Sequence, residues 1–280
     1  MNANLGRGRS VDIDAVSTAV REVEQAEISP RFRALAAEDV IEKSPGEIVT
    51  AADRACEAVL GRRLQAILDI PVVGEESVAD DPALLGLVAD RDLVWVVDPL
   101  DGTSNFAAGS TDHAVMVALV ESGDAVASWM WHPASRTMAV AERGSGSFLN
   151  DQRVTMKPVA DVSRAVGVVK DRFLPDDVAA TVLANEARFG RYDAGRGCAG
   201  VEYPALVADD VAFLLYWRTL PWDHAPGVLF AEEAGGVAVR PDGRRYRCGE
   251  DGLGLVVAHA AMIDEVRACL LSTADRPPPR

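Results

Sequence analysis

Basic residues are in short supply. Lys and Arg number 28 against 43 Asp and Glu, which gives a formal net charge of −15. That balance argues against a nucleic-acid polymer or an anionic membrane as partner, since both need a basic face. A small anionic ligand held through metal ions is still allowed. Long apolar runs are also missing. Stretches such as 114–120 fall far short of the ~18–20 residues of a membrane span. Residues 1–10 carry Asn, Gly and Arg with no apolar block, so no secretory signal is expected. Paired cysteines are absent as well. Cys56, Cys198, Cys248 and Cys269 lie far apart with no Cys-x-x-Cys, which argues against a zinc site or a disulfide scaffold. The expectation is a reduced cytoplasmic protein with buried thiols.

What is present is a chain of 280 residues, 49% of them apolar, enough for one large domain or two modest ones around a sizeable core. Ile13, Val16, Val20 and Val23 fall on one helical face. A second helix follows Asp53, with Cys56, Val59, Leu60, Leu64 and Ile67 as its stripe and Pro71 marking its stop. Between them, 42–47 is polar and rich in turn residues and reads as a mobile loop. Strand patterns then dominate to about 150, where the chain turns polar. Beyond it, strand and helix patterns alternate to 271. We therefore expect an α+β half over 11–155 and an α/β half over 156–273, with flexible tails at 1–10 and 274–280. The last of these carries three prolines, which cannot continue a helix.

One segment carries most of the chemistry. Leu93-Val94-Trp95-Val96-Val97 is an unbroken apolar run, the mark of a strand buried on both faces. It runs into Asp98-Pro99-Leu100-Asp101-Gly102-Thr103-Ser104-Asn105-Phe106. Ligands in layered α/β proteins gather beyond the carboxyl ends of strands. Gly102 permits close approach of a ligand, and the amides after it can point at an anion. A plain Asp-Gly turn is the competing reading. Glu75 in Gly74-Glu75-Glu76 and Asp223 in Pro221-Trp222-Asp223 also sit at the edges of apolar elements. Singly, each such acid is more often a cap or a solvated turn residue. Together, Glu75, Asp98, Asp101 and Asp223 would repel unless cations sat among them, and an all-oxygen set suits Mg²⁺. Two such ions about 3.5–4 Å apart can hold both oxygens of an in-line displacement. Spacing and composition reach metal-dependent phosphate chemistry and stop there.

These segments resemble the inositol monophosphatase family of Mg²⁺-dependent phosphatases. The family's Asp-Pro-(Ile/Leu)-Asp-Gly-Thr-x-Asn-Phe box is similar to 98–106 throughout. Its Gly-Glu-Glu box is similar to Gly74-Glu75-Glu76, and its Val-Thr…Asp box to Val49-Thr50-Ala51-Ala52-Asp53. Its Trp-Asp-x-Ala-x-Gly box is similar to 222–227, where Pro226 replaces the usual Ala. The resemblance implies a layered α-β-α-β-α sandwich of the inositol monophosphatase and fructose-1,6-bisphosphatase type, usually a homodimer. It implies that Glu75, Asp98, the carbonyl of Leu100, Asp101 and Asp223 hold two or three Mg²⁺. It further implies that Asp53 and Thr103 polarise the attacking water, that the amides of Gly102 and Thr103 hold the phosphate, and that the segment 43–50 orders around a further metal. The implied activity is hydrolysis of a small polyol, sugar or amino-alcohol phosphate, inositol-phosphate-like or histidinol-phosphate-like.

The chain also departs from that pattern. Members that act on inositol phosphates carry a Glu several residues before Trp-Asp. Here the stretch Leu215-Tyr216-Trp217-Arg218-Thr219-Leu220 has no acid. Either these residues end a buried strand, or Arg218 meets a second anionic group and the aromatics stack on a ring. The second option gives an alternative activity, a 3′(2′),5′-bisphosphate nucleotidase; a regulatory protein retaining the fold is the other alternative. Cys198 is a packed thiol or a pocket wall, and Glu202 either faces the pocket or is solvated. His113 and His259 read as core, Trp129 and Trp131 as core or dimer interface, and His224, beside Asp223, either tunes the site or, more commonly for a lone His, is packed or exposed.

Overall fold

The computed structural model describes residues 2–4, 10–44, 47–250 and 252–272. β1 (Asn2–Asn4) pairs with β2 (Ser10–Asp12), and Asp12 caps α1 (Ile13–Val23) by accepting from the amides of Asp14 and Ala15. A hairpin of β3 (Val40–Ser44) and β4 (Glu47–Thr50) leads into α2 (Ala51–Ile67). β5 (Val72–Gly74), α3 (Glu75–Asp80) and α4 (Gly86–Asp90) follow, then β6 (Val94–Asp101) and α5 (Thr103–Ala107). Next comes an antiparallel run of β7 (Ala114–Glu121), β8 (Asp124–His132), β9 (Thr137–Glu142), β10 (Gly146–Leu149) and β11 (Gln152–Val154). The later part holds β12 (Val166–Val169), α6 (Asp176–Ala184), β13 (Arg191–Asp193), α7 (Ala199–Val207) and β14 (Phe213–Tyr216). It ends with α8 (Pro221–Glu233), β15 (Gly236–Val239), β16 (Leu255–His259) and α9 (Ile263–Leu271).

The strands form two larger sheets. One is ordered β11-β10-β9-β8-β7-β6-β5, antiparallel except for the parallel pair β5 and β6. The other is ordered β13-β12-β14-β16-β15, with β12 parallel to both β13 and β14. Alternation along single strands shows what covers each face. Trp95 and Val97 of β6 pack with Val16 and Val20 of α1 and Leu60 and Leu64 of α2. Val94 and Val96 point the other way, into a core with Tyr203 of α7 and Leu229 and Phe230 of α8. Leu214 and Tyr216 of β14 close that core from the second sheet. Phe213 and Leu215 face outward onto Val182 of α6 and Val266 and Leu270 of α9. The result is the α-β-α-β-α sandwich, with α7 and α8 as its middle layer. α8 is apolar almost all round, as a helix covered by sheets on both sides should be.

Several local expectations change. The segment 42–47 read as a loop because Glu, Lys and Ser outweigh its apolar content. Its described part instead pairs Ile41 with Val49 and Glu42 with Ile48, because β-branched side chains on both strands favour the ladder. Residues 45–46 lie outside the described residues, as does the expected tail at 274–280. Of the expected N-terminal tail, Asn2–Asn4 and Ser10 are paired strand, while 1 and 5–9 lie outside. Trp129 and Trp131 are core residues under α1. Their indole N–H groups donate to the Ile13 carbonyl and to Glu24, each at 3.2 Å. Tryptophans in such cores carry about 3–5 kcal/mol each on truncation. His113 is buried edge-on to Phe106, and His259 is half-buried at the end of β16. Cys56, Cys198 and Cys248 are buried free thiols, and Cys269 is half-buried. Among the described residues, no helix is long and apolar enough to cross a membrane.

Candidate active site

The acids gather where β5, β6 and the first turn of α8 meet. Asp98 and Asp101 straddle a bulge in β6. Asp98 pairs with Met116 and Asp101 with Ala114, so β6 spends one residue more than β7 there. The bulge follows from Pro99, which has no N–H for the ladder, and it turns both aspartates toward one cleft. Asp98 accepts from the Leu100 amide at 3.0 Å. Asp101 is held from the far side by the start of α7: its Oδ2 accepts from the Gly200 amide at 2.6 Å and the Cys198 thiol at 3.0 Å. Glu75 opens α3 at the end of β5. α3 is seated by Glu57, whose carboxylate accepts from the amides of Glu76 and Ser77, both at 2.8 Å. A side chain at position 74 would come within 2.2 Å of Glu57, so the glycine there is required for this seating.

Asp53 is buried behind the cleft, where it meets Thr103, which lines it. Thr50 and Asp53 form a capping box at the start of α2. The other oxygen of Asp53 lies 2.9 Å from the Thr103 hydroxyl, which also lies 3.0 Å from the Leu100 carbonyl. Gly102 caps α5 at φ +83°, and a Cβ there would stand 2.7 Å from the Asp112 carbonyl. We expect Gly102→Ala to cost about 1–3 kcal/mol of stability. It should also reduce activity, because the strain falls between Asp101 and Thr103. Chemical denaturation and turnover measured on the same preparation check both effects.

The cleft encloses about 270 Å³ and is lined by Glu75, Asp98, Leu100, Asp101, Gly102, Thr103 and Asp223 among others. Burial is the main force on its acids, and mutual repulsion adds to it. Both push Asp98 and Asp223 well above the ordinary aspartate range; burial lifts Asp101 to about 6 against the bonds from Gly200 and Cys198, and Glu75 to about 7 against the attraction of Lys43. Lys43 from the hairpin lays its ammonium 3.1 Å from Glu75 and also bonds Glu76. Among the described residues, no group of three or more His, Cys, Asp or Glu side chains is set around one point as a metal cage. The donor chemistry nevertheless fits a hard cation: every candidate is oxygen, Asp98 is buried and the other three acids are half-buried, and Glu75 already holds the Lys43 ammonium.

Among the pocket residues, Cys198 is both buried and part of the cleft wall. Burial pushes its thiol pKa well up, so it remains a proton donor to Asp101. Arg218 lines the mouth and pairs with Glu47 of the hairpin. Glu202 is 2% exposed and lies behind the wall, not in it. It accepts from Lys170 Nζ at 2.6 Å, the amides of Arg196 and Gly197 at 2.7 and 3.0 Å, and the Tyr216 hydroxyl at 2.7 Å. His224 is packed, with its pKa pushed down to about 3 by burial. Nδ1 meets the Tyr203 hydroxyl and Nε2 the Arg218 carbonyl, each at 3.1 Å, which assigns the proton to Nε2.

Sequence reasoning passed over Lys170, Arg172 and Phe173, which line the cleft opposite the acids. The available signal was position, since they directly follow the apolar strand β12. It also missed Asn105, which ties α5 to the carbonyls of Asp112 at 2.8 Å and Arg196 at 2.7 Å.

Residues 7–275 match the model of the inositol monophosphatase family. The chain is 28% identical over 209 residues to a fructose-1,6-bisphosphatase/inositol-1-monophosphatase of Thermotoga maritima, covering 74% of this chain and 77% of that protein. It is 27% identical to the Nus factor SuhB of Vibrio cholerae, covering 70% and 73%. The solved structure of the Thermotoga maritima IMPase superposes with a TM-score of 0.77 at 25% identity, covering 92% of this chain and 96% of that one.

Proposed function

The chain belongs to the inositol monophosphatase family of phosphatases, and from that premise we propose that it is a Mg²⁺-dependent phosphomonoesterase acting on a small polyol, sugar or amino-alcohol phosphate. The observation that carries this reading is the set of four acids, Glu75, Asp98, Asp101 and Asp223, lining one cleft beside the Gly102 turn. These acids and the Leu100 carbonyl would hold two or three cations. When bound, the cations would neutralise the acids, bind phosphate oxygens and lower the pKa of a water.

The chain's own groups supply the rest. The carboxylate of Asp53 holds the Thr103 hydroxyl and leaves its lone pairs to accept from a water in the cleft. The first-turn amides of α5, having no intrahelical acceptor, serve the phosphate at Gly102 and Thr103. No nucleophilic side chain is required, since phosphoryl transfer rests on positioning and charge neutralisation. In this reading 11–155 brings Asp53, Glu75, Asp98, Leu100, Asp101 and Thr103, and 156–273 brings Asp223 and the mouth residues. A homodimer in the cytoplasm completes the proposal.

The test is phosphate release from a panel of phosphomonoesters with Mg²⁺ present. At least one small phosphate ester should turn over. Silence across the panel would overturn the proposal. A second reading, a regulatory protein that keeps the fold, is favoured by relatives such as the Vibrio cholerae Nus factor. A stable partner combined with no turnover by the wild type would select it.

A further inference from the structure

Two working parts of the cleft come from distant stretches of chain. The turn at Gly102 and Thr103 opens α5, while the donors that hold Asp101 stand at the start of α7: the Cys198 thiol at 3.0 Å and the Gly200 amide at 2.6 Å. A ligand acid fixed by one segment and an anion-binding turn on another must keep register, since misplacement by ~1 Å can cost about 100-fold. Asn105, in the first turn of α5, joins the two segments directly.

Its side-chain nitrogen donates to the Asp112 carbonyl at 2.8 Å and the Arg196 carbonyl at 2.7 Å, and lies 3.4 Å from the Gly197 carbonyl. Carbonyls from three residues assign that end of the side chain as the NH₂ group, because an oxygen there would meet only acceptors. Both hydrogens are thus spent, one on the residues just after α5 and one on the 196–198 turn. The same segments crowd around Gly102, where a Cβ would stand 2.7 Å from the Asp112 carbonyl and 3.2 Å from Cβ of Cys198. Gly197, at φ +73°, brings its backbone close enough that a Cβ on it would lie 3.4 Å from the Asn105 nitrogen. A parallel tie, Arg196 to Asp112 at 3.4 Å, has its guanidinium largely exposed, and such pairs contribute little. Asn105 itself is not part of the cleft lining.

We propose that Asn105 is a positioning residue that sets the affinity of the acid cluster for its cations, by fixing the 196–198 turn and through it the Cys198 and Gly200 donors on Asp101. The inference rests on the metal-dependent reading and adds to it a residue that touches neither cation nor ester. Without the Asn105 donors the turn relaxes, and Asp101 loses the two groups that aim its carboxylate.

The test reads metal binding through stability instead of turnover. The melting temperature of the full-length protein is followed as Mg²⁺ is added, and the concentration giving half of the full rise is compared between variants. Asn105→Ala should raise that half-point by about tenfold or more, the lower end of what loss of an outer partner of a metal site costs. Leu270→Ala, in the outer core under α9, should lower the melting temperature and leave the half-point in place. Cys198→Ala should also raise the half-point. Combined with Asn105→Ala it should raise it by less than the product of the two single changes, because both act through one turn. Asn105→Ser, whose hydroxyl keeps a donor near the carbonyls, should move the half-point the same way by less, and it carries the test if the alanine variant does not fold. An unmoved half-point in the Asn105 variants, or a double variant showing the full product, overturns the positioning role and leaves the metal-dependent reading intact. A wild type whose melting is indifferent to Mg²⁺ overturns both.

Discussion

Asp98→Asn is expected to abolish phosphate release and, at the same time, to raise the melting temperature of the metal-free protein. The two effects share one cause. Asp98 is 2% exposed; burial raises its pKa most, and the charged groups that raise it further are acids: Glu75, Asp101, Asp223 and Asp53. An amide of nearly the same shape removes that repulsion while keeping the bond from the Leu100 amide. At pH 8 the variant should melt a few degrees above the wild type, since 1 kcal/mol corresponds to about 2–4 °C in chains of 150–250 residues. Adding Mg²⁺ should reverse the order, because a cation bound only by the folded state stabilises it by mass action. Activity should fall by more than the 10–100-fold that loss of an outer partner of a metal site costs. Retained activity in the variant, or a melting point indifferent to Mg²⁺ in the wild type, would refute the metal-site account.

Glu202→Ala should be the most destabilising single change near the cleft. One buried carboxylate satisfies an ammonium, two backbone amides and a hydroxyl. Truncation leaves all four donors without it, and breaking a buried ion pair from one side costs about 3–5 kcal/mol. That is a large fraction of the ~5–15 kcal/mol that holds a domain together, and the melting temperature should drop on the order of 10 °C. Glu202→Gln keeps the volume and one acceptor oxygen and should lose less. The effect should reach catalysis through the turn at 196–198. That turn is fixed by Glu202 on one side and carries Cys198, the donor to Asp101, on the other. A Glu202→Ala protein that melts with the wild type would show that the four donors find other partners.

The parts of the site that could be read from the chain are those in which chemistry and geometry are contiguous. In 98–106 a buried strand, a proline, a left-handed glycine and two acids follow one another, so strand end, bulge and turn are written in order. Thr50 and Asp53 are likewise a local capping box. The strand at 93–97 was legible too, since an unbroken apolar run marks burial on both faces, and its odd and even positions do serve different cores. What was not legible depends on partners far along the chain. Glu47 reaches Arg218 across 171 residues, and nothing in the local sequence of either forecasts it. Glu202 looked solvated or pocket-facing because a lone acid on a helix usually is. Its true environment is set by β12, β14 and the 196–197 amides. The hairpin at 40–50 was hidden for a different reason: its polar composition suggested a loop, while the ladder and the Lys43 contacts to Glu75 and Glu76 decide its course.

The most direct test is to strip the protein of metal with a chelator and follow phosphate release while Mg²⁺ is restored, using an ester identified in the panel. The account predicts no release from the stripped protein and a saturable return of activity as the ion is added. Release that continues unchanged in excess chelator would contradict it.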